Sequence, residues 1–221
     1  MEYLGMIIGQ GLIRMDPAKL AAIRDWHPPS SVKGVHSFLG FVNFYRKFIP
    51  NYSNIIAPIV LLTQKDHPWS WTEPQQKAFD SLHTIFSFAP VLCIPDVSCP
   101  FSLMTDTSLL AAGTVLMQPD TSGDLHPCAY FSKTFSAAEC NYNIYNQELL
   151  AVILALGEWK QYLQGTPHPV SVLTNHKNLS YLKDLRKLSC HQACWSLFLQ
   201  DFDIVWKVTP GTQMGPADAL S

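Results

Sequence analysis

Four positions in this 221-residue sequence carry oxygen-bearing side chains that could meet at one charge-handling site: Asp106, Glu148, Asn175 and Asp218. They are separated by 42, 27 and 43 residues. Asp106 closes an apolar run that reads as a strand, and Glu148 falls on the first turn of a long apolar helix. Asn175 follows a second strand-like run, and Asp218 opens a final helical turn. Carboxylates placed at strand ends and on facing helices can converge. Converging carboxylates repel one another, and a divalent cation relieves that repulsion. Mg²⁺ suits the task because it takes oxygen ligands and keeps several waters. Two such ions roughly 3.5–4 Å apart can activate a water and stabilise the leaving oxygen of a phosphodiester. Spacing alone leaves ordinary readings open. Asp106 before Thr107-Ser108 suits a strand-end turn, Glu148 suits a helix N-terminus, and Asp218 suits a solvated surface.

The elements that must position these residues are legible in the pattern. Asp16-Pro17 is a cap followed by proline at the first helical position, and the helix should stop before Pro28-Pro29. Ser30 or Ser31 caps a second helix, with Val35, Phe38, Leu39, Val42 and Tyr45 at helical spacing. Phe41, Phe44 and Phe48 lie on its other faces, so it should be covered on more than one side. Thr72-Glu73-Pro74-Gln75 is a capping-box pattern ahead of Phe79, Leu82, Ile85 and Phe86. Leu92–Pro100 reads as a linker. Strands are then expected at Phe101–Asp106, Thr114–Gln118 and Leu125–Ser132, with Ser122-Gly123-Asp124 as a turn. A long helix at about Tyr145–Leu163 presents Leu149, Val152, Ile153, Leu156 and Trp159, and Gly165 and Pro167 end it. A strand at Val170–Thr174, short helices at Asn178–Leu182 and His191–Leu199, and a strand at Ile204–Val208 follow. The fold class is mixed α/β: a mostly helical N-terminal segment, then a five-stranded mixed sheet flanked by helices.

With 48% hydrophobic and only 14% charged residues, the chain is not a disordered one. The longest run without a polar residue, Leu149–Leu156, is far short of the roughly 18 needed to span a bilayer. The N-terminus has no basic region or small-residue cleavage site of the secretory kind. The six cysteines include no CxxC. Cys190-His191-x-x-Cys194 resembles half a zinc site without a second pair at ligand spacing, so buried or incidental thiols in a reducing compartment are expected. The net charge of −2 argues against nucleic acid when taken alone. The balance is uneven, however: residues 1–65 carry 7 Lys+Arg against 3 acids. Within this basic third, Arg46 and Lys47 suit a helix C-terminus as well as they suit phosphate. Lys177, Lys183, Arg186 and Lys187 form a second basic cluster, equally suited to a solvated face.

Several strings carry a family resemblance. TDTS (105–108), LHPCAYFSKTFSAAECNYNIYNQELLAVILALGEW (125–159), TNHKNLSYL (174–182) and PADALS (216–221) resemble the ribonuclease H domain of Ty3/Gypsy-type retrotransposon reverse transcriptases. Upstream, YLGMII (3–8), MDPAKLAAIRDW (15–26), SVKGVHSFLGFVNFYRKFIPNYSNIIAPIVLLTQKD (31–66) and WTEPQQKAFDSL (71–82) resemble the end of the palm, the thumb and the connection of the same polyprotein. The resemblance implies four parts: palm end 1–14, thumb 15–66, connection 67–100, and a ribonuclease H-like domain 101–221 whose last helix is cut. It implies cleavage of the RNA strand of an RNA/DNA hybrid by four acids binding two Mg²⁺, with Mn²⁺ as a substitute. Asp106, Glu148 and Asp218 match three of those acids. Leu4-Gly5 falls at the family's primer-grip turn, and Arg14, Lys19, Lys33, Arg46 and Lys47 would lie along the hybrid and meet phosphates. The implied partners are the hybrid and the rest of the polyprotein, with no membrane, in a cytoplasmic or nuclear retroelement particle.

The sequence also departs from the family. The third acid comes in a TDHKNL string, and here Asn175 replaces the aspartate. Asparagine offers one neutral oxygen and removes a negative charge, which implies weakened metal binding and impaired cleavage. Gln192-Ala193-Cys194-Trp195 lacks the arginine of the family's QARW. The polymerase's paired-aspartate motif does not occur, so this stretch is not expected to polymerise by itself. The alternatives are a non-catalytic hybrid-binding or scaffold module and a functionless product of a decayed element.

Overall fold

A computed structural model describes residues 1–174 and 190–208. The chain begins with strands, where the sequence reading carried none: β1 (Glu2–Tyr3), β2 (Met6–Gly9) and β3 (Leu12–Met15) form an antiparallel meander. Its two turns are Leu4-Gly5, at φ 48° and 71°, and Gln10-Gly11, at 55° and 73°. Two successive residues at positive φ make the tight turn whose twist suits a hairpin, and glycine in the second place lowers its cost. Strands this short carry too little alternation to be read as such.

Four helices follow. In α1 (Pro17–Arg24), Asp16 Oδ1 accepts the N–H of Ala18 at 2.8 Å. In α2 (Val32–Phe44), Ser31 Oγ accepts the N–H of Gly34 at 3.2 Å. Both caps stand where the sequence placed them. A 3₁₀ turn (Arg46–Phe48) leads to α3 (Tyr52–Leu61) and then α4 (Glu73–Ser87), where Gln75 Oε1 accepts the N–H of Thr72 at 3.1 Å. These helices close on an aromatic core. Phe38 is fully buried, with ring centroids 5.0 Å from Phe79 and 5.9 Å from Trp26. Tyr45, Phe48 and Phe86 continue the layer. The segment read as a linker instead supplies β4 (Val91–Cys93), which pairs with β3 as Ile13↔Leu92 and completes a sheet of order β1-β2-β3-β4. Pro95 and Pro100 dominated that reading, although both lie after the three paired residues.

The second sheet has the order β7-β6-β5-β8-β9, from β5 (Ser102–Thr107), β6 (Ala111–Pro119), β7 (Leu125–Thr134), β8 (Val170–Thr174) and β9 (Ile204–Val208). β5, β6 and β7 are antiparallel, whereas β5–β8 and β8–β9 are parallel. Helices α5 (Ala137–Cys140), α6 (Ile144–Glu158), α7 (Lys160–Leu163) and α8 (Cys190–Leu199) accompany it. The helix expected through Leu163 breaks at Trp159, whose φ of −108° and ψ of 22° leave the helical region. On one face of the sheet Leu103 and Leu116 pack against Val152, Ala155 and Leu156 of α6. On the other face Met104, Val115 and Tyr130 form one cross-strand row, and Tyr130 also packs against the N-terminal aromatic core. The expected helix at Asn178–Leu182 and the final turn around Asp218 lie outside the described residues.

Candidate active site

Two of the sequence-predicted acids come together at the C-terminal end of β5. Side chains alternate along a strand, so Asp106 shares a face with Met104, and Thr107 shares the α6 face with Leu103. Glu148, on the second turn of α6, points at that strand end. The Thr107 hydroxyl donates to Glu148 Oε1 at 2.7 Å, and the Thr107 backbone N–H donates to Asp106 Oδ1 at 2.9 Å. One residue thus orients an oxygen of each carboxylate. Sequence reasoning passed over Thr107, since a threonine after a strand-end aspartate is an ordinary turn residue. Only its place between the two acids marks it.

The electrostatics follow from burial. Glu148 is 2% exposed. Its carboxyl is pushed up from 4.5 to about 7: loss of water raises it, the Thr107 hydrogen bond offsets part of that, and the Asp106 charge adds to the rise. Parallel β8 ends at the same edge, in the register Met104↔Leu173, and Thr174 is its last residue. Asn175 follows it in the chain and, with Asp218, Lys177, Lys183, Arg186 and Lys187, lies outside the described residues. Among the described residues no group of three or more His, Cys, Asp or Glu side chains is placed to hold a metal ion. Among the described residues the arrangement is therefore a pair of carboxylates.

The basic residues of the N-terminal third are spread out. Lys33 is exposed on the first turn of α2. Arg46 and Lys47 sit not on the end of α2 but on the separate 3₁₀ turn. There they line a cavity of about 190 Å³ between the two halves, with Tyr52, Tyr130, Glu158 and Trp159 among its walls. Arg46 is exposed. Lys47 is half-buried, its amine is lowered by burial, and its Nζ stands 5.6 Å from the Phe48 ring centroid. No helix among the described residues is long and apolar enough to cross a membrane.

Residues 96–202 match the family described as an RNase H-like domain found in reverse transcriptase. This stretch belongs to that family. Over its whole length the chain is 37% identical to the Transposon Tf2-3 and Tf2-4 polyproteins of Schizosaccharomyces pombe, Ty3/Gypsy-type homologues. It spans 17% of their length. The resemblance carried by the sequence motifs is borne out. The fold is similar to that of a foamy viral protease-reverse transcriptase solved in complex with double-stranded DNA (TM-score 0.78, 22% identity, 95% of this chain and 37% of that one). It is similar again to such an enzyme solved with an RNA/DNA hybrid (TM-score 0.74, 22% identity, 96% and 29%). The five-stranded mixed sheet of the ribonuclease H-like domain agrees with these neighbours in fold.

Proposed function

We propose that the chain comprises the palm end (1–14), thumb (15–66), connection (67–100) and ribonuclease H part (101–221) of a retrotransposon reverse transcriptase. This part grips an RNA/DNA hybrid and hydrolyses its RNA strand with Mg²⁺ or Mn²⁺, at a rate impaired by Asn175. The observation that carries the reading is the Asp106–Thr107–Glu148 arrangement at the C-terminal end of β5. The residues fit a hard divalent cation. Two carboxylates, one nearly sealed from water, are costly to ionise together, and a cation would relieve both burial and repulsion. Asp106, Glu148 and Asp218 would hold it, with Asn175 supplying a neutral oxygen in the remaining place. When bound, paired ions supply water activation and stabilisation of the leaving oxygen.

The chain's own residues do the rest. Thr107 fixes the direction of one oxygen on each carboxylate. Lys33, Arg46 and the cluster Lys177, Lys183, Arg186 and Lys187 neutralise phosphates without reading bases. The basic balance of residues 1–65 supports this, as do the complexes of the foamy viral neighbours. The remaining partner is the rest of the polyprotein, and the working place is a cytoplasmic or nuclear retroelement particle.

The test is cleavage of a labelled hybrid by the parent chain, Asn175→Asp and Asp106→Asn, with Mg²⁺ and with Mn²⁺. Asn175→Asp is expected to raise the rate at least about tenfold, equivalent to about 1.4 kcal/mol of barrier. Asp106→Asn is expected to abolish cleavage. A rate unchanged by Asn175→Asp overturns the impairment, and cleavage that survives Asp106→Asn overturns the site. The asparagine at 175 also favours a second reading, a hybrid-binding module without chemistry. Salt-sensitive hybrid binding with no cleavage by any variant, Asn175→Asp included, would establish it.

A further inference from the structure

The turn between β5 and β6 follows directly on Asp106 and Thr107, the last residues of β5, yet it has little apolar anchorage of its own. Leu109 is 81% exposed and Leu110 is 63% exposed. Two backbone bonds hold the turn, from Ser108 N–H to the Ala111 carbonyl at 2.9 Å and from Phe135 N–H to the Leu110 carbonyl at 2.8 Å, and one hydroxyl adds to them. Ser108 Oγ donates to the carbonyl of Ala111 at 3.2 Å and accepts the N–H groups of Ala111 and Leu110 at 3.1 and 3.4 Å. From outside the turn, Asn54 Nδ2 on the first turn of α3 donates to the same hydroxyl at 3.1 Å. The neighbouring residue of α3 grips β7, the far strand of the antiparallel β5–β6–β7 run: Ser53 N–H donates to Ser132 Oγ at 2.8 Å, and Ser132 Oγ donates to Ser53 Oγ at 3.0 Å.

The register gives these contacts a common geometry. Asp106 pairs with Gly113, and Gly113 pairs with Ser132. Residues directly opposite across antiparallel strands point to the same face. Asp106 and Ser132 therefore share a face and a transverse row, with a side-chain-free glycine between them, and α3 closes the end of that row.

We propose that Asn54 and Ser53 are positioning residues for Asp106. The first turn of α3, from the N-terminal half, is a polar latch that sets the Thr107–Ser108 backbone and with it the Asp106 carboxylate. The Asp106 oxygen is bonded to the Thr107 N–H, so its direction follows the peptide that Ser108 anchors. Without Asn54, the turn keeps its backbone bonds to Ala111 and Phe135 but loses the side-chain bond that ties it to α3. The latch itself stands on these hydrogen bonds alone; its consequence for metal rests on the carboxylate-site reading above.

The test uses the full chain and three proteins: the parent, Asn54→Leu, which removes the donor at similar volume, and Ser31→Ala. The last removes the cap of α2 and destabilises the N-terminal half without touching the latch. Amide hydrogen exchange reads the turn directly. Exchange at Ser108, Leu110 and Ala111 is expected to quicken about fivefold in Asn54→Leu, the equivalent of one neutral hydrogen bond. It is expected to stay at the parent rate in Ser31→Ala. Mn²⁺ titration reads the consequence, with a dissociation constant raised severalfold in Asn54→Leu alone. Unchanged exchange in Asn54→Leu, or equal changes in both variants, overturns the latch. Faster exchange with unchanged Mn²⁺ affinity overturns its link to Asp106. A parent chain that binds no Mn²⁺ overturns the metal reading, and the exchange rates then decide the latch by themselves.

Discussion

The two halves of this molecule bury different things. The core of the first 93 residues is aromatic and aliphatic, with Asn51 and Gln75 as its buried polar side chains among the described residues. The sheet that follows buries Thr105, Thr114, Gln118 and Thr174, and its helix α6 buries Gln147 and Glu148. Gln118 earns its place structurally: its side chain accepts from Asp96 N–H at 2.9 Å and donates to the Asp96 carbonyl at 2.7 Å. Glu148 is buried beside Asp106, with the Thr107 hydroxyl donating to it at 2.7 Å. A carboxyl with its pKa raised to about 7 weakens the fold at neutral pH. One half is therefore optimised for packing, while the other accepts a local instability where chemistry is expected.

The largest effect that sharpens this contrast is Phe38→Ala. Removing a fully buried ring between Trp26 and Phe79 should cost about 3–5 kcal/mol, read as a lowered urea midpoint. Next is Glu148→Gln. Between the ordinary value of 4.5 and the folded value of about 7, the native state holds the extra proton, so stability falls as pH rises through that window. The fall should be on the order of 3 kcal/mol. Glu148→Gln should abolish that slope and be the more stable protein above pH 7. Added Mg²⁺ should flatten the slope in the parent, because cation binding favours the deprotonated acid. A parent with the same urea midpoint at pH 5 and pH 8 would break the comparison. The smallest effect is Tyr45→Phe, which deletes the bond from Tyr45 Oη to the Gly5 carbonyl at 3.1 Å and should cost about 1 kcal/mol. A larger loss would mean that the aromatic half also depends on its polar contacts.

What the sequence disclosed follows the range over which each feature is determined. Val170–Thr174 and Ile204–Val208 were placed to the residue, because each is a short run rich in β-branched residues between clear breaks. The caps at Asp16 and Ser31 are written in adjacent residues. β1 to β4 were missed because their pairing, not their composition, makes them strands. Asp106 and Glu148 were identifiable as a pair only through the family resemblance, since 42 residues and a change of element separate them. Thr107 and the Ser53–Ser132 contact, 79 residues apart, are products of the tertiary fold and have no local signal.

The pairing of β4 with β3 has a consequence for the order in which the chain takes shape. Once Val91–Cys93 has been synthesised, the first sheet has its last strand and the aromatic core has all its helices. The first half then has every helix and strand of its own core before Phe101 leaves the ribosome, with the contacts to Ser108, Tyr130 and Ser132 still to come, and units of this size fold as translation proceeds. The meander β5–β7 can follow from contacts near in sequence. β5 must wait about 65 residues for its parallel neighbour β8, a separation that slows closure. Asp106 is thus delivered early onto a surface already formed, with α3 standing ready as its template, and the strand leading to Asn175 arrives only later.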